Sequence, residues 1–342
     1  MSAGLGAALK LFGQTRLRLG LDAYTLRGFK WDALQLLEYA AKMKLDTIQL
    51  DINTYQSLEP AYVQKVKDSA ARLGLVIDGS MGCICGTSSG WKPENRDPLQ
   101  YLLTGIRTTK AVGATCMRVY VGGSAERAEL DKHVESTLKV LRAARSEALD
   151  AGVKIAIENH GDFQAWELRQ LIETAGKEYV AACMDSGNAV TVLEDPLTTI
   201  EVLGPYVVTT HIRDSVVFEH PRGAVTQWVA LGDGVVDFKA FFARFRELCP
   251  QSGVQLEILT GNPPRIVPYL EPDFWKVFPK ARASEFARFV KLARTGRPLM
   301  ARMVTGDPSV PEYEAALRAQ QKYDLERSFE YARQTLGIGT RA

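Results

Sequence analysis

Short apolar runs alternate with amphipathic segments along most of this chain. The runs are RLGLDAYTL (18–26), DTIQLDI (46–52), LVIDGSMG (75–82), CMRVYVG (116–122), KIAIENH (154–160), VAACMDSGN (180–188), VVTTHIRDS (207–215) and VQLEIL (254–259). Their Val, Ile and aromatic content makes each a strand candidate. Between them, Trp31, Leu34, Leu37 and Ala41 fall on one helical face, and helices are predicted over 60–73, 97–112 and 126–151. Strands alternating with helices imply a parallel sheet covered by those helices. Eight such units in roughly 275 residues predict an α/β chain folded as a closed (β/α)8 barrel, the TIM-barrel architecture, rather than an open doubly wound sheet.

The pattern changes near Arg294. A Pro- and Gly-rich stretch, TGRPLMARMVTGDPSVPEY, leads to a last predicted helix over 312–336. Residues 1–293 are therefore expected to form the catalytic barrel, and 294–342 a C-terminal helical extension. With eight units already counted, that helix packs on its own barrel or contacts another chain, as a homo-oligomer or with a small partner subunit.

Composition removes several function classes. The 342 residues are 46% hydrophobic, and 42 basic against 40 acidic residues leave a net charge of +2. That near-balance gives no electrostatic footprint for nucleic acid or an anionic membrane. Five cysteines follow no zinc-finger spacing. Cys83-x-Cys85 reads as packing, and a reduced cytoplasmic compartment is expected. The start, MSAGLGAALKLFG, has no A-x-A cleavage signal. Its GLGAAL lacks both a preceding strand and the third glycine of a nucleotide loop. No apolar run approaches the roughly 20 residues of a membrane span.

The chemistry gathers at strand exits. KIAIENH places Glu158 and His160 at the end of the fifth run, and MDSGN places Asp185 at the end of the sixth. HIRD and LEI add His211 and Glu257 on the seventh and eighth. In a barrel these ends share one face, the C-terminal mouth, where active sites are built. Spacings of 27 and 26 residues, from Glu158 to Asp185 and on to His211, match one βα repeat each. Three carboxylates converging without compensation would repel one another and be costly to desolvate. One divalent cation removes that cost. An imidazole with three carboxylates suits Mn2+ or Mg2+, and Co2+ or Zn2+ also fits. His160 lies two residues beyond Glu158, so both project from the same side of the strand.

The series IENHG, MDSGN, HIRD and LEI, with ALGDGVVDF (230–238), resembles the sugar-phosphate isomerase/epimerase family, the xylose-isomerase-like TIM barrels. The resemblance covers roughly residues 18–293. It implies that Glu158, Asp185, His211 and Glu257 are the four metal ligands. It also implies that the two glutamates serve as acid and base, as in the ketose 3-epimerases typified by D-tagatose 3-epimerase. The expected reaction is proton abstraction next to a sugar ketone through an enediolate. Asp237 is expected to cap the helix after the glycine turn.

Two features depart from that branch. Asn188 stands near where the ketose 3-epimerases usually carry a histidine, and is taken as a substrate contact. The Glu158-x-His160 pairing, with the long extension, is also similar to the larger subunit of C-glycoside deglycosidases. Those are metal-dependent lyases acting on 3-keto-glycosides, and there His160 would be a catalytic base. A sugar dehydratase could use the same equipment. Arg213 is a candidate for binding a hydroxyl or phosphate. Tyr24, Trp91, Phe163 and Trp228 are candidates for stacking on a sugar face. VFEHPRGAVTQW reads as a lid hinged at Gly223. A DNA-repair endonuclease of the same superfamily would need many histidines, and this chain has four. A non-catalytic sugar-binding barrel would not need both glutamates.

Overall fold

The computed structural model describes residues 16–299 and 308–341. The expectations for the first 13 residues, and for the middle of the Pro- and Gly-rich connector, fall on 1–15 and 300–307 and lie outside the described residues. Strands β1 (Leu19–Asp22), β2 (Thr47–Asp51), β3 (Val76–Cys83), β4 (Cys116–Tyr120), β5 (Lys154–Glu158), β6 (Val180–Asp185) and β7 (Val207–His211) follow the predicted runs. Next come β8 (Asp214–His220) and β9 (Gly223–Val229), then β10 (Val254–Leu256) and β11 (Arg265–Val267). The main sheet has eight parallel strands in the order β10-β1-β2-β3-β4-β5-β6-β7. It closes where Ile212 bridges Leu256: Ile212 N donates to Gln255 O at 2.8 Å, and Glu257 N donates back to Ile212 O at 3.1 Å. The result is a TIM barrel.

Its helices are α1 (Ala33–Lys42), α2 (Pro60–Leu73), α3 (Pro98–Ala111), α4 (Leu130–Ala151), α5 (Ala165–Ala175), the single turn α6 (Ser186–Ala189), α7 (Pro196–Leu203), α8 (Phe238–Leu248), α9 (Ala283–Thr295) and α10 (Pro311–Gln334). Local sequence sets their ends. Asp32 and Gln35 form a reciprocal capping box at α1. Asp97 accepts from Gln100 N, with Pro98 at the first helical position of α3. Asp237 caps α8 through Ala240 N at 3.0 Å, as expected. On α8, Phe238, Phe241, Phe242 and Phe245 lie on one face and are fully buried against the barrel. Burying each ring is worth about 1.5–3 kcal/mol.

The expected lid is instead a β-hairpin. β8 and β9 pair antiparallel from Asp214↔Val229 to His220↔Gly223, and β11 adds a third strand. One residue from each strand carries the reason: Val217 of β8, Ala224 of β9 and Val267 of β11 bury a small second core with Phe289. Gly223 is a point of close approach, not a hinge. Its φ is 148°, and a Cβ there would lie 2.2 Å from Val267 O.

α10 lies against the barrel's own core, with Leu325, Phe329 and Ala332 buried in it. Gln321 Oε1 accepts from Gly28 N at 3.2 Å, and Thr260 Oγ1 donates to Asp324 Oδ2 at 2.7 Å, so the helix also braces loops at the mouth. All five cysteines are buried and free. Among the described residues no helix is long and apolar enough to cross a membrane.

One structural carboxylate gives a pH test. Glu194 is fully buried, accepts from Ala165 N at 2.8 Å and from Thr199 Oγ1 at 3.0 Å, and burial pushes it up to about 8. Between the ordinary glutamate range and pH 8 the folded chain holds a proton there that the unfolded chain has released. Its contribution to stability therefore falls as pH rises through that window. Glu194→Gln keeps the same shape without the titration. The expected result is a flatter decline of Tm from pH 5 to 8 than in the parent. Superimposable Tm profiles would remove Glu194 as a source of that slope.

Candidate active site

Glu158, Asp185 and His211 end β5, β6 and β7, and Glu257 follows β10 directly. One ligand atom from each of the four lies within 4.8 Å of the others, and all four residues are buried. Adjacent parallel strands in register bring this about, since Asp185 pairs with His211 and Glu158 with Cys183.

Each group is held on more than one side. Asp185 Oδ1 accepts from Gly187 N at 2.7 Å and Asn188 N at 2.9 Å, capping α6. Its Oδ2 is left for Asn188 Nδ2 at 2.7 Å and Arg213 Nη2 at 2.5 Å. Asn188 Nδ2 also lies 3.2 Å from Glu158 Oε1. Glu158 Oε2 takes Arg118 Nε at 2.6 Å. His211 Nδ1 sits 3.2 Å from Glu158 Oε1 and 3.4 Å from Glu257 Oε2, while its Nε2 is 2.7 Å from Gln49 Oε1. Arg213 pairs with both Asp185 and Glu257.

The electrostatics follow. Burial alone would raise Glu158, but Arg118, His211 and His160 outweigh it and hold the carboxyl well below its usual range. Burial pushes Asp185 up to about 7, against the opposing pull of Arg213. The two guanidiniums of Arg118 and Arg213 thus offset part of the charge of the three carboxylates. The donor set fits a divalent cation: hard oxygens, one imidazole, and four atoms close enough to share one ion.

Above this cluster opens a cavity of about 770 Å³ whose wall includes Glu257, Arg213, Arg118, His160, Asp22 and Trp228. Glu158 lies beneath the wall, 1% exposed in its side chain. His160 stacks on Tyr120 at 4.5 Å, and its Nδ1 sits 2.6 Å from Gly122 O. A carbonyl only accepts, so Nδ1 carries the proton and Nε2 the lone pair. Burial lowers the imidazole from its ordinary value.

The expected substrate contacts separate into three groups. Tyr24 and Arg213 line the cavity. Asn188 is buried and spent on Glu158 and Asp185, so it organises the carboxylates. Trp91 packs edge-on to Tyr101 at 5.8 Å and lies outside the cavity wall. Phe163 is fully buried in the core and does not reach the cleft, because Asp162 turns the loop inward through Phe163 N at 3.0 Å. Asp214, adjacent to Arg213, is a loop organiser. Its carboxylate accepts from Gly232, Gly234 and Val236 N–H groups, wrapping the glycine turn around itself. Sequence reading missed Arg118, Asp22 and Gln49. The available signal was a polar side chain inside CMRVYVG, RLGLDAYTL and DTIQLDI.

Comparison with known proteins agrees with this architecture. A solved D-psicose 3-epimerase, crystallised with D-fructose, matches with a TM-score of 0.60 at 15% identity, covering 94% of this chain and all of that one. 3-Keto-D-glucoside 4-epimerase YcjR from E. coli matches with a TM-score of 0.55 at 17% identity, covering 72% of this chain and 95% of that one. The uncharacterized protein YihM of Escherichia coli K12 is 28% identical over 91 residues, a match spanning only 27% of this chain and 28% of that one. The profile of the xylose isomerase-like TIM barrel matches residues 37–266, which takes in seven of the eight ring strands, all but β1, and all four residues of the cluster, and the chain belongs to that family.

Proposed function

We propose that the protein is a divalent-metal-dependent sugar isomerase or epimerase that removes a proton next to a ketone. The observation that carries this reading is the buried Glu158–Asp185–His211–Glu257 cluster at the floor of a cavity large enough for a sugar. The 3-epimerase and 4-epimerase structural likenesses agree with it. Glu158, Asp185, His211 and Glu257 would hold the metal, with Mn2+ preferred. When bound, the ion supplies Lewis-acid stabilisation of charge developing on the substrate's oxygens.

The chain's own groups do the rest. Glu257 faces the cavity and can take a proton from the carbon beside the ketone. In this structure Arg118 pairs with Glu158, holds it ionised and covers it. Glu158 would serve as the second acid–base group only once substrate draws Arg118 away and Glu158 has taken up a proton from solvent, which it could then deliver to the other face of the carbon. Arg213 and Tyr24 are the cavity groups placed to orient hydroxyls.

A second reading, a lyase acting on 3-keto-glycosides, is favoured by one observation. The free Nε2 of His160 lies on the cavity wall, with its proton held at Nδ1, which makes it competent as a base. The experiment for both is incubation of metal-loaded enzyme in heavy water with ketoses, sugar phosphates and 3-keto-glycosides. Deuterium is expected at the carbon beside the ketone of at least one. Product formed without solvent isotope there, under single-turnover conditions, would replace proton abstraction with hydride transfer or hydrolysis.

A further inference from the structure

Barrel interiors of this architecture are ordinarily filled by layers of Val, Ile and Leu. Directly beneath the carboxylate cluster this barrel instead buries Gln49, Thr209 and Gln255 completely, and Asp78 to 7% exposure. An apolar layer would avoid the cost of desolvating these groups, so their hydrogen-bond directions are informative.

We propose that Asp78, Thr209 and Gln49 form a buried relay that fixes the tautomer of His211, putting its proton on Nε2 and its lone pair on Nδ1, toward the metal position. The proposal rests on the metal-site reading above and names the positioning residues behind it.

The direction of the relay follows step by step. An Asp78 carboxylate only accepts, and its Oδ2 takes Thr209 Oγ1 at 2.8 Å and Gln255 Nε2 at 2.9 Å. The single hydroxyl proton of Thr209 is thereby used, so toward Gln49 the hydroxyl can only accept. It accepts from Gln49 Nε2 at 3.0 Å. That orients the amide, and Gln49 Oε1 faces His211 Nε2 at 2.7 Å. An amide oxygen cannot donate, so Nε2 of His211 bears the hydrogen. Nδ1 then points its lone pair between Glu158 Oε1 and Glu257 Oε2, at 3.2 and 3.4 Å.

Strand geometry makes the relay possible. Thr209 and His211 are two apart on β7 and share its inward side, while Gln49 and Asp78 are register partners on β2 and β3 across the barrel. Groups that orient a ligating histidine through its second nitrogen typically change metal affinity about 10–100-fold when removed.

Thr209→Val is the test, because it keeps the side-chain shape and removes the hydroxyl. Thr209→Ser restores it. With histidine-labelled protein, long-range proton–nitrogen NMR reads which ring nitrogen of His211 carries hydrogen, and zinc titration against a chromogenic chelator reads affinity. In the parent, the Nε2 hydrogen is expected with and without zinc, and Nδ1 is the nitrogen that shifts on zinc addition. Thr209→Val should weaken zinc binding by about 10–100-fold and disturb the Nε2–H signal, and Thr209→Ser should recover both. A neutral parent imidazole protonated on Nδ1, or identical His211 signals in the parent and Thr209→Val, overturns the relay. Failure of zinc to bind the parent at all, with the Nε2 hydrogen present and lost in Thr209→Val, would instead overturn the metal-site reading and leave the relay standing.

Discussion

Glu257→Ala is expected to leave the protein folded, without bound metal and without proton-transfer activity. Glu257 is the one carboxylate of the cluster on the cavity wall, and it pairs with an Arg213 that is 1% exposed. On the function proposed above, its removal takes away a ligand oxygen and the cavity-facing base, and it also removes one of the two carboxylates paired with Arg213. Loss of a base alone costs about 10²–10⁴-fold in rate, and loss of the ligand adds to that. Elemental analysis of the purified parent should find one divalent ion per chain, and close to none in the variant. Thermal unfolding gives a second readout: at a hundredfold excess over Kd a ligand stabilises by about 2.7 kcal/mol, so added Mn2+ should raise the parent's Tm and leave the variant's unchanged. Glu257→Gln, which keeps the side-chain volume, guards against a result caused by collapse of the cavity. Full metal occupancy in Glu257→Ala would rule out the four-ligand assignment.

The fold was legible because its signal repeats. Each strand candidate is short, apolar and followed by a helix, and eight repetitions leave little else for the chain to be. The convergence of Glu158, Asp185, His211 and Glu257 was legible for a related reason, since polar residues at the ends of apolar runs are costly there unless they share a task. What escaped were contacts set by closure of the ring. Gln49 and Thr209 lie 160 positions apart and meet only because β2 and β7 face each other across the barrel. Arg118 covers Glu158 from the neighbouring strand, and nothing local to CMRVYVG names that partner. The hairpin was read as a lid because its alternation follows a strand exit, where functional loops are expected. Phe163 was misplaced for a similar reason: position after a strand end says where a residue is in the chain, but the buried Asp162 decides which way its loop turns.

His160→Ala separates the two proposed reactions. If Glu158 and Glu257 carry both proton transfers, His160 only shapes the cavity beside them. The variant should then keep its metal and lose little of its solvent deuterium exchange on a simple ketose. If Nε2 is the base of an elimination, turnover of a 3-keto-C-glycoside should fall by about 10²–10⁴-fold, while exchange on the ketose persists. The geometry permits a clean comparison, because His160 touches none of the four ligand atoms directly. Its Nδ1 is anchored to Gly122 O and its ring to Tyr120, so truncation leaves a gap at the wall without unpairing a carboxylate. Burial lowers its pKa, so the base form is present at neutral pH in the parent and any rate it carries should decline only on acidification. His160→Gln, which cannot act as a base but refills part of the gap, should behave like Ala if the role is proton transfer and like the parent if it is packing. Equal, small losses on both substrates in one preparation would assign His160 to the wall of the cavity and leave the chemistry to the two glutamates.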